Sequence, residues 1–382
     1  MIPKRVVLFS LFAALGGVSV AALAELPVDR ITVAELPAAH PYRLYYTDVA
    51  LPHLADGKLT VIDGRNLKVE GMVSTGMFAQ STLSPDRSEI YVMTTYYTKL
   101  NRGVRSEEIL VYDAKTLALK AEIPYAAHHA QALPYRGTLR TSGDGRFILV
   151  QNATPAISVS VVNRESGKQV TEIQTPGCYI LFPAQSANRF STLCGDGTML
   201  TISLDDEGNP LSKKKTVKFF DPDEDPLFVS APQDGDNYHF VSFKGKALTV
   251  NVAGETAVVG MPWSLLTPDD IKQGWRPGGY QPVALHLASG TLYVGMHAKG
   301  KDGSHKNPAE EIWVYDLPSK ARVTRAKTPH ATGLAVSQGD APRVFAFDTE
   351  KAGIAAFDGG RKLKEVATAR GFGDTPTQLE VQ

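Results

Sequence analysis

Histidine residues and clustered acids are the side chains of this sequence that could do chemistry on their own. A catalytic metal site needs two or three His, Cys, Asp or Glu residues at short recurrent spacings. His286, His297 and His305 lie 11 and 8 residues apart, which matches no ligand motif. His128 and His129 are adjacent, so their side chains diverge. We therefore predict no metal site.

Other signatures of catalysis are also missing from the sequence. It has no motif for covalent haem, for a hydrolase serine or for a phosphate-binding glycine loop. The acidic stretch 221–226 has no central glycine, so we interpret it as a solvated turn rather than a calcium loop. Trp263, Trp275 and Trp313 stand alone in the sequence and are interpreted as packing residues. The sequence therefore shows no self-contained active site, which leaves two classes open: an enzyme that works from pocket residues no motif marks, or a binding subunit that shapes a partner's site.

The N-terminal segment indicates export from the cytoplasm. Residues 1–24 contain Lys4 and Arg5, then an apolar run, then small residues at 22–24. This order is typical of a secretory signal peptide, and an uncleaved membrane anchor is the alternative. We predict cleavage, which leaves residues 25–382 as a mature domain with no membrane span, located in the periplasm.

The two cysteines fit an exported protein. Disulfides persist outside the cytoplasm, and 15 residues separate Cys178 from Cys194, which suits one bridge. The alternatives are a reactive thiol or half of a metal site, but no CxxC spacing or nearby histidine supports them. We predict a disulfide between Cys178 and Cys194.

Composition excludes one class of partner and favours many short elements. The chain has 40 Lys and Arg and 40 Asp and Glu residues, so its formal charge is zero. Without a basic surface, nucleic-acid binding is not predicted. The 33 glycines and 24 prolines favour frequent turns between short elements.

A repeated strand pattern runs through the whole chain. Seven runs rich in β-branched residues, mostly ending in an acid or amide, have ends 50, 50, 41, 48, 64 and 42 residues apart, close to the length of a propeller blade. A second strand-like segment precedes each run. The long interval contains a predicted short helix after the N-cap Thr267. The runs are 59–63, 109–113, 159–163, 200–204, 248–252, 312–316 and 354–358.

The repeat predicts an all-β fold, a single seven-bladed β-propeller over residues 25–382. Radial packing of small sheets hides their faces and leaves only short edges. The alternative, two β-sandwiches, would need a linker, and no break in composition divides residues 40–380.

Several segments resemble the heavy chain of the quinoprotein amine dehydrogenases. They include Gly-Cys-Tyr-Ile-Leu-Phe-Pro at 177–183 and Gly-Trp-Arg-Pro-Gly-Gly-Tyr at 274–280, and the similarity extends from about Tyr42 to the C-terminus. The other segments are 102–109, 151–156, 194–204 and 305–316.

The resemblance implies a heavy subunit that is inactive alone and forms a two-plus-two heterotetramer with a cysteine-rich light subunit. In that family the light subunit carries the tryptophan tryptophylquinone cofactor and the catalytic acid, which implies no catalytic and no cofactor-binding residue in this chain. The complex oxidises primary amines to aldehyde and ammonia, and electrons pass to a blue-copper protein of the azurin or amicyanin type. A stand-alone periplasmic propeller that binds a ligand or protein is the alternative.

The resemblance also assigns one residue and a substrate branch. Gly76-Met77-Phe78 matches the family's Gly-x-Phe segment, which implies that Phe78 lines the substrate channel between the subunits; the alternative is that Phe78 packs under a loop. Segments 151–156, 194–197 and 308–313 resemble the aromatic amine branch, whereas 178–183 is closer to the methylamine branch. We expect an aromatic amine dehydrogenase, with a methylamine-type enzyme as the alternative.

Overall fold

A computed structural model describes residues 34–131, 135–360 and 362–382, whose regular secondary structure consists mainly of antiparallel strands. The all-β prediction is therefore confirmed. The predicted signal peptide, residues 1–24, lies outside the described residues. Glu35–Gln382 cluster into one compact unit. Among the described residues, no helix is long and apolar enough to cross a membrane.

The first sheet has seven strands and joins the two ends of the chain. The C-terminal strand pairs with the first strand, with Leu44 opposite Val381. The long third strand is the last strand of one four-stranded ladder and the first of the next. The strands are β1 (Arg43–Asp48), β2 (Gly57–Asp63), β3 (Lys68–Leu83), β4 (Glu89–Tyr97), β5 (Arg105–Asp113), β6 (Leu119–Tyr125) and β30 (Pro376–Val381).

Five further sheets of four or five strands follow in chain order. The second contains β7 (His128–His129), β8 (Leu139–Thr141), β9 (Phe147–Thr154), β10 (Ser158–Asn163) and β11 (Lys168–Gln174). The third contains β12 (Cys178–Pro183), β13 (Arg189–Cys194), β14 (Met199–Leu204) and β15 (Pro210–Lys215). The fourth contains β16 (Gln233–Asp234), β17 (Asn237–Val241), β18 (Lys246–Asn251), β19 (Val258–Val259) and β20 (Trp263–Ser264).

The last two sheets complete the series. The fifth contains β21 (Arg276–Pro277), β22 (Val283–His286), β23 (Thr291–His297), β24 (Ala309–Asp316) and β25 (Ala321–Ala331). The sixth contains β26 (Gly333–Val336), β27 (Arg343–Asp348), β28 (Gly353–Asp358) and β29 (Glu365–Arg370).

Helical structure is confined to short segments. The predicted helix is confirmed as α1 (Pro268–Lys272), where Thr267 and Asp270 form a reciprocal capping box. Two 3₁₀ turns cover Leu51–Asp56 and Ser304–Lys306. α1 lies within the long interval between repeats, as expected from the sequence.

Hydrophobic clusters fill the spaces between consecutive ladders. One cluster joins β9–β11 to β12–β14 through Phe147, Val161, Phe190 and Ile202. Another joins the sixth sheet to the first through Phe345, Tyr46 and neighbouring residues. The side chains alternate between the two faces of each strand, so both faces of a ladder pack against a neighbour.

A central cavity of about 410 Å³ lies where the first strands of the ladders meet. All six sheets contribute to its lining, because the lining residues come from β3, β8, β12, β22, β26, β30 and the segment 229–235.

Candidate functional site

The predicted channel residue, Phe78, lies on a bulge of β3. The pairing with β4 shifts between Met77, which faces Thr95, and Gln80, which faces Met93. Phe78 has a φ of 53°, in the left-handed region that bulky residues rarely adopt. The residue is half-buried. The bulge therefore holds an aromatic residue in a strained conformation and re-aims its side chain.

Gly76 is required by the geometry of the same segment. Its φ is 68°, and a Cβ placed there would lie 2.4 Å from Thr94 Oγ1 and 2.9 Å from the Tyr96 ring. Any larger residue would displace β4 from β3. The Gly-x-Phe spacing thus has a local cause, because Gly76 allows β3 and β4 to approach closely two residues before Phe78.

A buried network of charged and polar groups contacts the backbone of Phe78. His129 Nε2 lies 3.3 Å from the Phe78 carbonyl oxygen, and His129 Nδ1 lies 2.5 Å from Glu107 Oε2. Arg105 Nε donates to the other oxygen of Glu107 at 2.5 Å. Thr95 Oγ1 donates to Glu107 Oε2 at 3.0 Å. The side chains of His129 and Glu107 are 0% and 1% exposed, so their contact is sealed from bulk water.

The contacts fix how protons are distributed in this network. A carbonyl oxygen only accepts hydrogen bonds, so His129 Nε2 must carry the proton that it shares with Phe78. His129 Nδ1, on the other side of the ring, faces Glu107 Oε2. Burial, followed by the Glu107 charge, raises the pKa of Tyr125 well above its usual value, so its hydroxyl remains a donor toward Glu107 at 3.4 Å. Glu107 and His129 can therefore hold the bulge in place.

An exposed apolar hairpin extends from the strands beside Phe78. Leu100 and Val104, in the loop between β4 and β5, are 70% and 72% exposed. Tyr96 lies against Gly76 at the base of the hairpin. We name Tyr96, Leu100 and Val104 the hairpin surface. Clustered apolar groups left in water are typical of a protein interface.

The predicted disulfide is confirmed. Cys178 on β12 and Cys194 on β13 lie directly opposite each other and are bonded. Both are buried in the cluster between the second and third sheets. The bridge fastens two neighbouring strands far from Phe78 in sequence.

Two of the three tryptophans lie together, although they stand apart in the sequence. The rings of Trp275 and Trp313 have centroids 5.2 Å apart, and the Arg325 guanidinium lies 4.5 and 4.4 Å from them. Trp313 is fully buried and donates to Glu311. The contacts are those of packing residues, as predicted, but the pair itself was not expected.

Potential metal ligands come together at one place in the described part of the chain, and it involves none of the five histidines considered above. His40, Asp63 and Glu70 lie close enough to share an ion. However, Arg65 donates to Asp63 and Arg43 Nε to Glu70, at 2.8 and 2.7 Å. A cation would compete with both guanidinium groups, so this cluster is best explained as an ion-pair network.

The acidic stretch 221–226 forms a turn in the structure. Asp221 Oδ1 accepts from the backbone N–H groups of Asp223 and Glu224, each at 3.1 Å. Its side chain also accepts from Lys218. These contacts describe a charged surface turn.

Comparisons with known proteins find similar heavy chains. The family model described as methylamine dehydrogenase heavy chain matches residues 41–380. The methylamine dehydrogenase heavy chain of Methylophilus methylotrophus is 27% identical over 343 residues, 88% of this chain and 84% of that protein. The heavy chain of Methylobacillus flagellatus is also 27% identical, over 92% of this chain and 87% of that protein.

Solved structures share the fold at low sequence identity. The dihydro-haem d1 dehydrogenase NirN is 15% identical, with a TM-score of 0.56 over 90% of this chain and 77% of that one. A protein of unknown function from Desulfotomaculum acetoxidans is 10% identical, with a TM-score of 0.58 over 87% of this chain and 99% of that one. At this identity the likeness concerns the fold alone. The family match spans nearly the whole described chain, and this protein belongs to the methylamine dehydrogenase heavy-chain family.

Proposed function

We propose that this chain is the heavy subunit of a periplasmic quinoprotein amine dehydrogenase, which converts primary amines to aldehyde and ammonia. The observation that carries the proposal is the family match over residues 41–380. The N-terminal sequence and the Cys178–Cys194 disulfide support an exported protein, because such bridges persist in oxidising compartments.

We propose that the ladders close into a seven-bladed propeller. Three observations support this architecture: the seven sequence repeats, the shared use of β3 by two ladders, and the pairing of β30 with β1. Because β30 pairs with β1, the first ladder also has four strands, β30, β1, β2 and β3.

The role proposed for this chain is to shape the substrate channel and to bind the light subunit. Phe78 supplies a half-buried aromatic wall, and the network of Glu107 and His129 fixes its backbone. The hairpin surface beside it would bind the light subunit, so that both partners enclose the reacting amine and exclude water. We assign no proton transfer to this chain, because the charged groups nearest Phe78 are buried beneath its backbone.

The tryptophan tryptophylquinone group, which supplies the electron-accepting carbonyl chemistry, does not fit the tryptophans of this chain. Trp313 is fully buried and has Arg322 and Arg325 over its ring, each at 4.4 Å. An amine could not reach a quinone built there. The light subunit is the proposed carrier, as in the resembled family.

The preferred substrate, electron acceptor and assembly form the finer part of this proposal. We propose an aromatic primary amine, on the strength of segments 151–156, 194–197 and 308–313. The family resemblance supports a blue-copper acceptor and a two-plus-two heterotetramer. The ratio of kcat/KM for phenylethylamine to that for methylamine tests the substrate assignment: a ratio above one supports it, and a ratio below one favours the methylamine-type alternative.

Purification from the native source tests the proposed subunit role. Antibody capture of this chain should bring down a small disulfide-rich partner that absorbs visible light. The chain expressed alone should be folded, colourless and inactive toward amines. Recovery of this chain as a single active polypeptide, or without any such partner, would overturn the proposal and favour a stand-alone binding propeller.

A further inference from the structure

The central cavity contains more guanidinium groups than carboxylates to balance them. Arg87, Arg136 and Arg140 all line it, whereas Glu380 is the one acidic side chain among the described lining residues. The channel residue does not line the cavity, because Phe78 lies four positions before the first lining residue, Thr82, which is at most about 13 Å along β3. The inference does not depend on the proposed enzyme.

Hydrogen-bond contacts leave the positive charge unbalanced. Glu380 Oε1 lies 3.4 Å from Arg87 Nη1 and 3.6 Å from Arg136 Nη2, so one carboxylate is shared between two cations. Arg140 Nη2 donates to the neutral Gln233 Oε1 at 2.8 Å. Among the described residues, the Glu380 contact is the only ion pair of Arg136. At least one guanidinium thus lacks an anionic partner within the described part of the cavity.

The proximity of the three guanidinium groups is unfavourable for the protein alone, although the Arg136 side chain is 34% exposed and water screens part of the repulsion. Burial lowers the pKa of Arg136, and the nearby charges of Arg140 and Arg87 lower that pKa further, while Glu380 raises it. A guanidinium remains protonated in proteins, so the mutual repulsion persists. An additional anion in the cavity would relieve this repulsion. Guanidinium groups bind carboxylate and phosphate oxygens through paired N–H donors.

We propose that the central cavity is a binding site for a small oxyanion with two negative charges, a phosphate or a dicarboxylate. Arg136 and Arg140 are its main ligands, and Glu380 competes with the anion for Arg136. A volume of about 410 Å³ accommodates a small metabolite and excludes a folded partner.

Isothermal titration calorimetry of the purified mature chain tests this site, with inorganic phosphate and succinate as separate probes at ionic strength held constant with chloride. We expect saturable binding of one anion per chain with a dissociation constant of about 1 mM or lower. Binding of phosphate alone, of succinate alone, or of both identifies the ligand class. Failure of both probes to saturate would overturn the proposal.

Substitutions of the cavity residues test where the anion binds. Arg136→Gln and Arg140→Gln should each weaken it at least tenfold, whereas Arg102→Gln, an exposed arginine outside the cavity, should leave it unchanged. If either cavity variant does not fold, Glu380→Gln gives an independent test, because removal of the competing carboxylate should tighten binding several-fold. Unchanged affinity in the folded cavity variants, or unchanged or weaker affinity in Glu380→Gln, would contradict the assignment.

Discussion

Phe78 is the residue through which this chain is expected to influence substrate choice. Its ring is half-buried, so Phe78→Ala should leave the fold and assembly intact while changing the ratio of kcat/KM for small and bulky amines. A hydrophobic wall discriminates one methylene by about 1 to 3 kcal/mol, a shift of roughly tenfold or more. If Phe78 were instead a core residue, the substitution would cost on the order of 3 to 5 kcal/mol. A lower melting temperature with an unchanged ratio would contradict the channel role.

His129 is predicted to position Phe78 rather than to react. His129→Leu removes the contact with the Phe78 carbonyl and one hydrogen bond of Glu107, which keeps Arg105 as its ion-pair partner, so it should destabilise the fold by about 1 to 3 kcal/mol. The kcat/KM ratio for bulky and small amines should shift in the same direction as in Phe78→Ala.

Tyr125→Phe is the matched control for His129→Leu. Tyr125 belongs to the same network but does not contact Phe78, so its substitution should cost stability alone and leave the ratio unchanged. Equal effects of the two variants on the ratio, or no effect of His129→Leu, would remove the positioning role.

The sequence contained a signal for this network that was missed. Glu107 shares a face of β5 with Ile109 and Val111, and all three are buried. A charged residue in an inward-facing series requires a partner. Its partner, His129, comes from the next sheet, and pairing across sheets depends on tertiary packing that local periodicity does not specify. Phe78 itself was identified only by resemblance, because nothing local predicts its bulge.

At the scale of elements, the disulfide ties β12 to β13. Replacing both Cys178 and Cys194 by Ala should lower the free energy of unfolding by about 2 to 4 kcal/mol, since the bridge closes a loop in the unfolded chain. Urea denaturation measures the loss. Mass spectrometry of non-reduced peptides should show the linked pair in the mature protein; two free thiols there would show that the bridge does not form.

The hairpin between β4 and β5 is expected to bind the light subunit. Leu100→Asp should weaken the purified complex at least tenfold, because it places a charge in an apolar interface. Leu211→Asp is the matched control, since Leu211 is 68% exposed on the distant strand β15. Size-exclusion chromatography with multi-angle light scattering measures assembly for both variants. Equal stability of the two complexes would place the interface elsewhere.

The sequence predicted the middle strands of each ladder better than the outer ones. All seven repeat runs coincide with or overlap β2, β5, β10, β14, β18, β24 and β28, and each pairs with the strand before it. These strands are buried, so their β-branched residues form clear runs. The outer strand β15 is almost wholly exposed and contains three lysines, so its polar sequence gave no strand signal.

For the whole molecule, the sequence indicated the repeat but not which distant strands pair with each other. The pairing of Leu44 with Val381 joins residues from opposite ends of the chain, and no local pattern specifies which strand completes the first ladder. The central cavity could not be predicted from the sequence for the same reason, because Arg87, Arg136 and Glu380 lie far apart in the chain and all line the cavity only in the folded protein. Nonlocal contacts thus determine both features.

Amine-dependent dye reduction by the reconstituted complex tests the subunit assignment most directly. The purified chain should be mixed with the purified light subunit and assayed with a primary amine and a redox dye. The account predicts that neither chain reduces the dye alone and that the mixture does so in proportion to the complex formed. Equal activity of the light subunit with and without this chain, or activity of this chain alone, would contradict it.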